Sequence, residues 1–277
     1  MALKFMYITN RPEVAVAAEA AGVGSIFVDM EYIGKAARQG GMDTVQNHHT
    51  AEDIRRVRQA LTSAELLVRV NPIHEATAEY SSSQQEIDEA IEAGADILML
   101  PYYKTAEEVR QFVEMAGCRV RTMPLLETPE AAEIIDEVLE IPGVDEMYIG
   151  LNDLSLGLGR RFMFEPLAEG LIDRLCEVIR AKGIPFGFGG IASPGKGVLP
   201  AEYVIREHYR LGSSCVILSR SFCNADAFDD VNDLARAFES GIREIRSVEK
   251  ECFQEDEEYF ARNRARLQEI VRSIVNG

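Results

Sequence analysis

The 277-residue chain is short of positive charge: 29 Lys and Arg stand against 46 Asp and Glu, a formal net charge of −17. That balance argues against a nucleic-acid or anionic-membrane partner, whose phosphates call for a basic face. Paired cysteines are lacking as well. Cys118, Cys176, Cys215, Cys223 and Cys252 are odd in number, scattered and without CxxC spacing, so they read as reduced, mostly buried thiols of a cytoplasmic protein. No apolar run approaches the length of a membrane span. Residues 1–8 read as a strand without the long apolar region of a signal peptide. A Gly-rich phosphate loop is also missing after the first strand, where Thr9-Asn10-Arg11-Pro12 stands, which argues against a Rossmann-type nucleotide site.

What is present is one alternation repeated eight times. Apolar, β-branched runs fall at 3–9, 25–30, 65–70, 97–103, 121–127, 146–151, 185–191 and 215–222. The helical patterns between them mostly close on glycine, as at Ala21-Gly22, Ala93-Gly94, Ala116-Gly117, Lys182-Gly183 and Leu211-Gly212. A glycine just past a helix takes the left-handed conformation that ends it. Near-continuous apolar strands alternating with helices imply a parallel sheet buried on both faces. Eight such units predict an α/β fold, a single (β/α)8 TIM barrel, and an apolar share of 47% suffices for its core. The runner-up is an open doubly wound sheet. Two further helical segments, near 230–249 and 255–275, form a C-terminal extension over 230–277. The last carries an apolar stripe that is either packed on its own barrel or exchanged between subunits.

Chemistry in such barrels sits at the C-terminal ends of the strands. Strand five ends in Leu125-Leu126-Glu127-Thr128-Pro129, and strand six is followed through Ile149-Gly150-Leu151-Asn152 by Asp153, 26 residues after Glu127. That is about one strand–helix unit, so both carboxylates are expected at neighbouring strand ends. With no His or Cys beside them in sequence they suit a hard cation, Mg²⁺ or Mn²⁺. The competing reading is a pair of helix caps. Strand two ends in Val28-Asp29-Met30-Glu31-Tyr32, and strand three in Val68-Arg69-Val70-Asn71-Pro72. An Arg at the end of an apolar strand calls for an anion, either a bound carboxylate or Asp29 and Glu31. Gly189 and Gly190 end strand seven and allow close approach of a ligand or a tight barrel corner; Arg220 follows strand eight.

Asp-x-Glu after strand two, Arg-Val-Asn-Pro after strand three, Gly-Ala-Asp-x-x-x-Leu-Pro at strand four, Glu-Thr-Pro-Glu at strand five and Gly-x-x-Asp-Leu-Ser at strand six occur in order. Together they resemble the HpcH/HpaI aldolases, the class II pyruvate aldolase and citrate lyase beta-subunit family, over roughly residues 20 to 222. The resemblance implies a divalent-metal barrel that makes or consumes the enolate of pyruvate. Carried over, Glu127 and Asp153 match the metal ligands for one Mg²⁺ or Mn²⁺ per subunit, and Arg69 matches the arginine that grips the 2-oxo acid. Asp29, Leu151, Asn152, Gly189, Gly190 and Arg220 complete the expected substrate wall. The implied partners are a pyruvate-like 2-oxo acid, an aldehyde and further copies of the chain in a trimer or hexamer.

The chain departs from the pattern where the acid/base is expected. The family's histidine after Asp-x-Glu is Tyr32 here, and its aspartate before the Gly of strand four is Glu92. Lys35-Ala36-Ala37-Arg38 resembles a citrate-lyase element instead. The candidates for the proton-transfer role are Glu31, Tyr32, His48, His49 and a metal-bound water. A phenol with a pKa of about 10 is a poor base, whereas an imidazole near about 6.5 is a good one. The reading favours His48 or His49, on a glycine-rich segment from Glu31 to His49 expected to fold over the cation. The leading function is a metal-dependent carbon–carbon lyase on a 2-oxo acid. A citrate-lyase-like CoA-ester lyase or thioesterase, and a degenerate barrel that only binds a small acid, are the alternatives.

Overall fold

The structure is a computed structural model, and it describes residues 2–34 and 49–277. Eight parallel strands close on themselves in sequence order: β1 (Lys4–Ile8), β2 (Ser25–Asp29), β3 (Glu65–Arg69), β4 (Ile97–Leu100), β5 (Arg121–Leu126), β6 (Met147–Ile149), β7 (Phe186–Ile191) and β8 (Cys215–Leu218). The expected barrel is therefore the observed one. Strand four stops before its expected end because Pro101 can donate no ladder hydrogen bond. Strand six is shorter too, since residue 151 already begins a helix.

Local chemistry sets the helices. Around the barrel run α1 (Pro12–Ala20), α2 (Ala51–Ala60), α3 (Ser83–Glu92), α4 (Ala106–Ala116), α5 (Pro129–Glu133), α6 (Ile135–Leu139), α7 (Leu151–Gly157), α8 (Glu165–Glu169), α9 (Leu171–Ala181) and α10 (Ala201–Leu211). Capping boxes start three of them, Thr50 with Asp53, Ser82 with Gln85 and Thr105 with Glu108. Gly117 and Gly212 end α4 and α10 in the left-handed region, at φ +62° and +78°. The final helices, α11 (Val231–Cys252) and α12 (Glu257–Asn276), lie within a residue or three of the expected spans. α11 packs on α1 and α10, and α12 on α8 and α10 of the same chain. Among the described residues no helix is long and apolar enough to cross a membrane.

Two apolar layers result. Between strands and helices lies one continuous core. Inside the barrel Met6, Phe27, Leu67, Ile97, Met99, Met123, Leu125, Tyr148 and Cys215 form a second, smaller one. Side chains alternate along a strand, so this inward stripe predicts which later residues face the barrel axis. Below it, Lys4 and Arg121 interleave with Glu65 and Glu146: Lys4 lies 3.0 Å from Glu65 and 3.4 Å from Glu146, and Arg121 pairs with both acids. This balanced ring closes the N-terminal end.

Strand seven carries the one irregular register. Gly187 pairs with Cys215 but Gly190 with Ile217, one residue too many on β7, a β-bulge. Only glycine fits its start: a Cβ on Gly187 would lie 2.4 Å from the Cys215 carbonyl oxygen. The buried Tyr148 hydroxyl spans the gap, accepting from the Ile217 amide at 2.9 Å and donating to the Gly189 carbonyl. Tyr148→Phe leaves both backbone groups without that partner. We expect it to lower unfolding free energy by about 1–3 kcal/mol, measured by urea denaturation; an unchanged midpoint would show that the bulge holds itself.

Behind β7, His208 of α10 is fully buried, stacked on Phe188 at 3.9 Å and hydrogen-bonded through Nδ1 to Ser213 at 2.9 Å. Burial holds its pKa down to about 3, against about 6.5 in an unfolded chain. Below that upper value the unfolded chain takes a proton the folded chain refuses, so this contribution to stability is present above it and is lost as pH falls. Between pH values of about 6.5 and 5 the loss is on the order of 2 kcal/mol. His208→Gln should be less acid-sensitive than the wild type by that amount in paired denaturation curves. Equal sensitivity in the two proteins would contradict it.

Candidate active site

The inward stripe continues upward into chemistry. Phe27 is followed two residues on by Asp29, Leu67 by Arg69, and Leu125 by Glu127, so all three charged groups turn toward the axis at the C-terminal mouth. Register makes Asp29 and Arg69 direct partners on neighbouring strands. Their side chains form a bidentate pair, Nε to Oδ1 and Nη2 to Oδ2, each 2.8 Å. Glu31 lies 3.4 Å from the same Nε. Arg69 is 14% exposed, against 1% for Asp29 and 2% for Glu31. Burial alone would lower the guanidinium pKa, but Asp29, Glu31 and Glu127 outweigh it and hold it above the ordinary value. The sequence left two partners open for Arg69, and the internal carboxylates are engaged. That pairing uses Nε and one Nη2 hydrogen; a guanidinium carries a second fork, Nη1 with the other Nη2 hydrogen.

Glu127 is 3% exposed. It is not a helix cap, because Thr128 accepts from the Ala131 amide and fills that place. Its Oε1 accepts from the Tyr102 amide at 3.0 Å. Tyr102 reaches it from a left-handed conformation, φ 51°, uncommon for a residue with a side chain. The opposite wall is Gly150, where a Cβ would stand 2.9 Å from Glu127 Oε2. Asp153 departs from the expectation. It is the third residue of α7 rather than the end of β6, one turn above the strand in a place where the helix dipole favours negative charge.

Arg69, Glu127, Leu151, Asn152, Asp153, Gly189 and Gly190 line one cavity of about 230 Å³, together with Met99, Leu125, Tyr148, Met163 and Ile217. Gly189 sits at φ +56°, and a Cβ there would lie 2.8 Å from Leu151. Arg220 is elsewhere: it borders a separate cavity of about 430 Å³ with Lys196, Ser193, Asn224 and Glu244.

The acid/base candidates are placed unevenly. His48 and residues 35–47 lie outside the described residues, as does most of the segment expected to fold over the cation. His49 returns to the mouth, where its Nδ1 accepts the Asp29 backbone N–H at 3.0 Å. Its basic nitrogen is thus engaged, which fixes the neutral ring as the Nε2–H tautomer. Tyr32 rests against Tyr80, ring centroids 5.4 Å apart, and burial, with Glu86 and Tyr80 nearby, pushes its phenol above the ordinary value. It does not border the cavity of Glu127 and Asp153. Tyr102, Tyr148 and Met163 escaped the sequence reading. A left-handed tyrosine has no sequence signal, and the other two look like ordinary core.

The donor set fits a hard cation. Its oxygens are the kind such an ion takes: Asp29, Glu31 and Glu127 lie around Arg69, and Asp153 borders the same cavity as Glu127, a donor type that suits Mg²⁺ or Mn²⁺. Among the described residues no group of three or more His, Cys, Asp and Glu converges as a complete metal cage. Glu127 and Asp153 are the two carboxylates that border the cavity.

Comparison with solved structures agrees on the fold. An HpcH/HpaI aldolase/citrate lyase family protein from Burkholderia cenocepacia J2315 superposes with TM-score 0.60 at 18% identity, covering 88% of this chain and 95% of that one. The HpcH/HpaI aldolase from Desulfitobacterium hafniense DCB-2 gives 0.59 at 19% identity, with 88% and 93% covered. The citrate lyase beta subunit from M. tuberculosis, complexed with oxaloacetate and magnesium, gives 0.58 at 17%, with 86% and 97% covered. No curated protein sequence matches the chain. The family model for HpcH/HpaI aldolase/citrate lyase matches residues 5–181, and the chain belongs to that family.

Proposed function

We propose that the protein is a divalent-metal-dependent carbon–carbon lyase that forms or cleaves a 2-oxo acid through the enolate of pyruvate. Membership of the family supports a lyase. The observation that carries the finer reading is the meeting of Arg69, Glu127 and Asp153 on one cavity at the mouth of the barrel. Glu127 and Asp153 are the residues that would hold Mg²⁺ or Mn²⁺. Such a cation, when bound, supplies Lewis acidity toward the oxygens of a 2-oxo acid.

Breaking a carbon–carbon bond beside a ketone leaves an enolate, whose oxygen needs positive charge placed in advance. Arg69 supplies it. Asp29 holds one edge of the guanidinium and leaves the other fork for the substrate, so the arginine need not reorganise when charge develops. Leu151, Gly189 and Gly190 shape the wall beside the bound acid. Proton transfer rests with the histidine pair rather than Tyr32, whose raised pKa disfavours it. His49 must release the Asp29 amide before its Nδ1 can take a proton. A homo-oligomer with a small 2-oxo acid and an aldehyde as its ligands completes the proposal.

Mn²⁺ titration of Glu127→Ala and Asp153→Ala should show the cation affinity of both variants reduced at least about tenfold relative to the wild type. Undiminished affinity in both would remove the metal assignment. Arg69→Lys keeps the charge and loses the fork, and pyruvate methyl-proton exchange into deuterium oxide should slow about 10²-fold. Normal exchange in that variant would make the arginine purely structural.

A further inference from the structure

One buried carboxylate near the mouth is used by none of these steps. Glu86 of α3 is 8% exposed, and burial raises its pKa despite hydrogen bonds from Asn71. Its Oε1 accepts twice from Asn71, from the backbone N–H at 3.1 Å and from Nδ2 at 2.8 Å. Asn71 is 1% exposed. Its Oδ1 accepts the consecutive amides of Tyr32 and Ile33, each at 2.9 Å. A carboxylate can only accept, so Glu86 fixes which end of the Asn71 amide is nitrogen and turns the oxygen onto the chain leaving β2. That chain carries Asp29 and Glu31, the two carboxylates against Arg69. A further bond, from the Glu31 amide to Asp29 Oδ1 at 3.2 Å, tightens the same turn.

We propose that Glu86 and Asn71 are a positioning pair: through the Tyr32 and Ile33 amides they hold Asp29 and Glu31 in the register that aims Arg69 at the substrate. The inference rests on the lyase reading above. It treats neither residue as a participant in the chemistry. A buried carboxylate is costly, and a merely structural strut here could have been apolar.

Asn71→Asp keeps the shape and sets two carboxylates face to face. In protein assayed well below its unfolding midpoint, kcat for pyruvate proton exchange should fall at least about tenfold. Asn71→Asp combined with Glu86→Gln removes the like charge and lets the new amide accept through its oxygen from the backbone N–H of position 71 and donate from its nitrogen to the new carboxylate, and kcat should return to within about threefold of the wild type. Asn71→Ser, uncharged and able to accept from one amide, should also lose kcat, which keeps the test open if Asn71→Asp does not fold. A strut would lower the unfolding midpoint and leave kcat of the folded protein alone; that result, or a double variant no faster than Asn71→Asp, overturns the proposal. Calorimetry with oxalate and Mg²⁺ separates the two readings. A wild type that binds oxalate but exchanges no protons defeats the lyase assignment. Oxalate binding weakened about tenfold in Asn71→Asp and recovered in the double variant would still support the pair.

Discussion

The mouth of this barrel is organised around a buried guanidinium held by carboxylates. Arg69 meets Asp29 through two parallel hydrogen bonds and has Glu31 beside it. Buried ion pairs seldom stabilise a fold, since desolvation consumes most of the Coulombic gain. What such a pair gives is direction: a bidentate fork has one geometry, whereas an exposed Arg has many. The pair is dictated by strand register, because Asp29 and Arg69 lie opposite one another on β2 and β3. Preorganisation therefore begins in the sheet.

The two ends of the barrel place charge differently. At the N-terminal end two cations and two carboxylates, Lys4, Arg121, Glu65 and Glu146, interleave in a balanced ring. At the C-terminal end the described residues set one guanidinium against three buried carboxylates, with Asp153 on the same cavity. A structural network tends toward neutrality in a low-dielectric place. Arg69, Glu127 and Asp153, by contrast, border a cavity where a ligand can meet them.

The barrel was legible because its signals are local and repeated: apolar strands, capped helices and helices closed by glycine. Glu127 and Arg69 were legible for the same reason, as the polar residues that end an inward-facing stripe. Asp153 was placed near its true position but on the wrong element, since a carboxylate one helical turn past a strand looks in sequence like a strand end. Tyr32 and His49 were named from the sequence, but their contacts, like the left-handed Tyr102, were beyond its reach. Whether a ring nitrogen is engaged by a backbone amide depends on where the chain returns after a long excursion. Whether a tyrosine turns to the cavity or to Tyr80 depends on packing from another loop.

Tyr32 with Ile33 and His49, on either side of residues 35–48, are tied to the same corner of the barrel. The path leaving β2 is fixed at Tyr32 and Ile33 by Asn71, and the path returning at His49 is fixed by the Asp29 amide. Both anchors converge on the ends of β2 and β3, beside the guanidinium. Tyr32, in the position directly after Asp-x-Glu, packs on Tyr80 and does not border the cavity of Glu127 and Asp153. The His49 imidazole meets the same strand end through the Asp29 backbone N–H. Two hydrogen-bonded anchors thus bring both sides of the segment to the residues that hold the guanidinium.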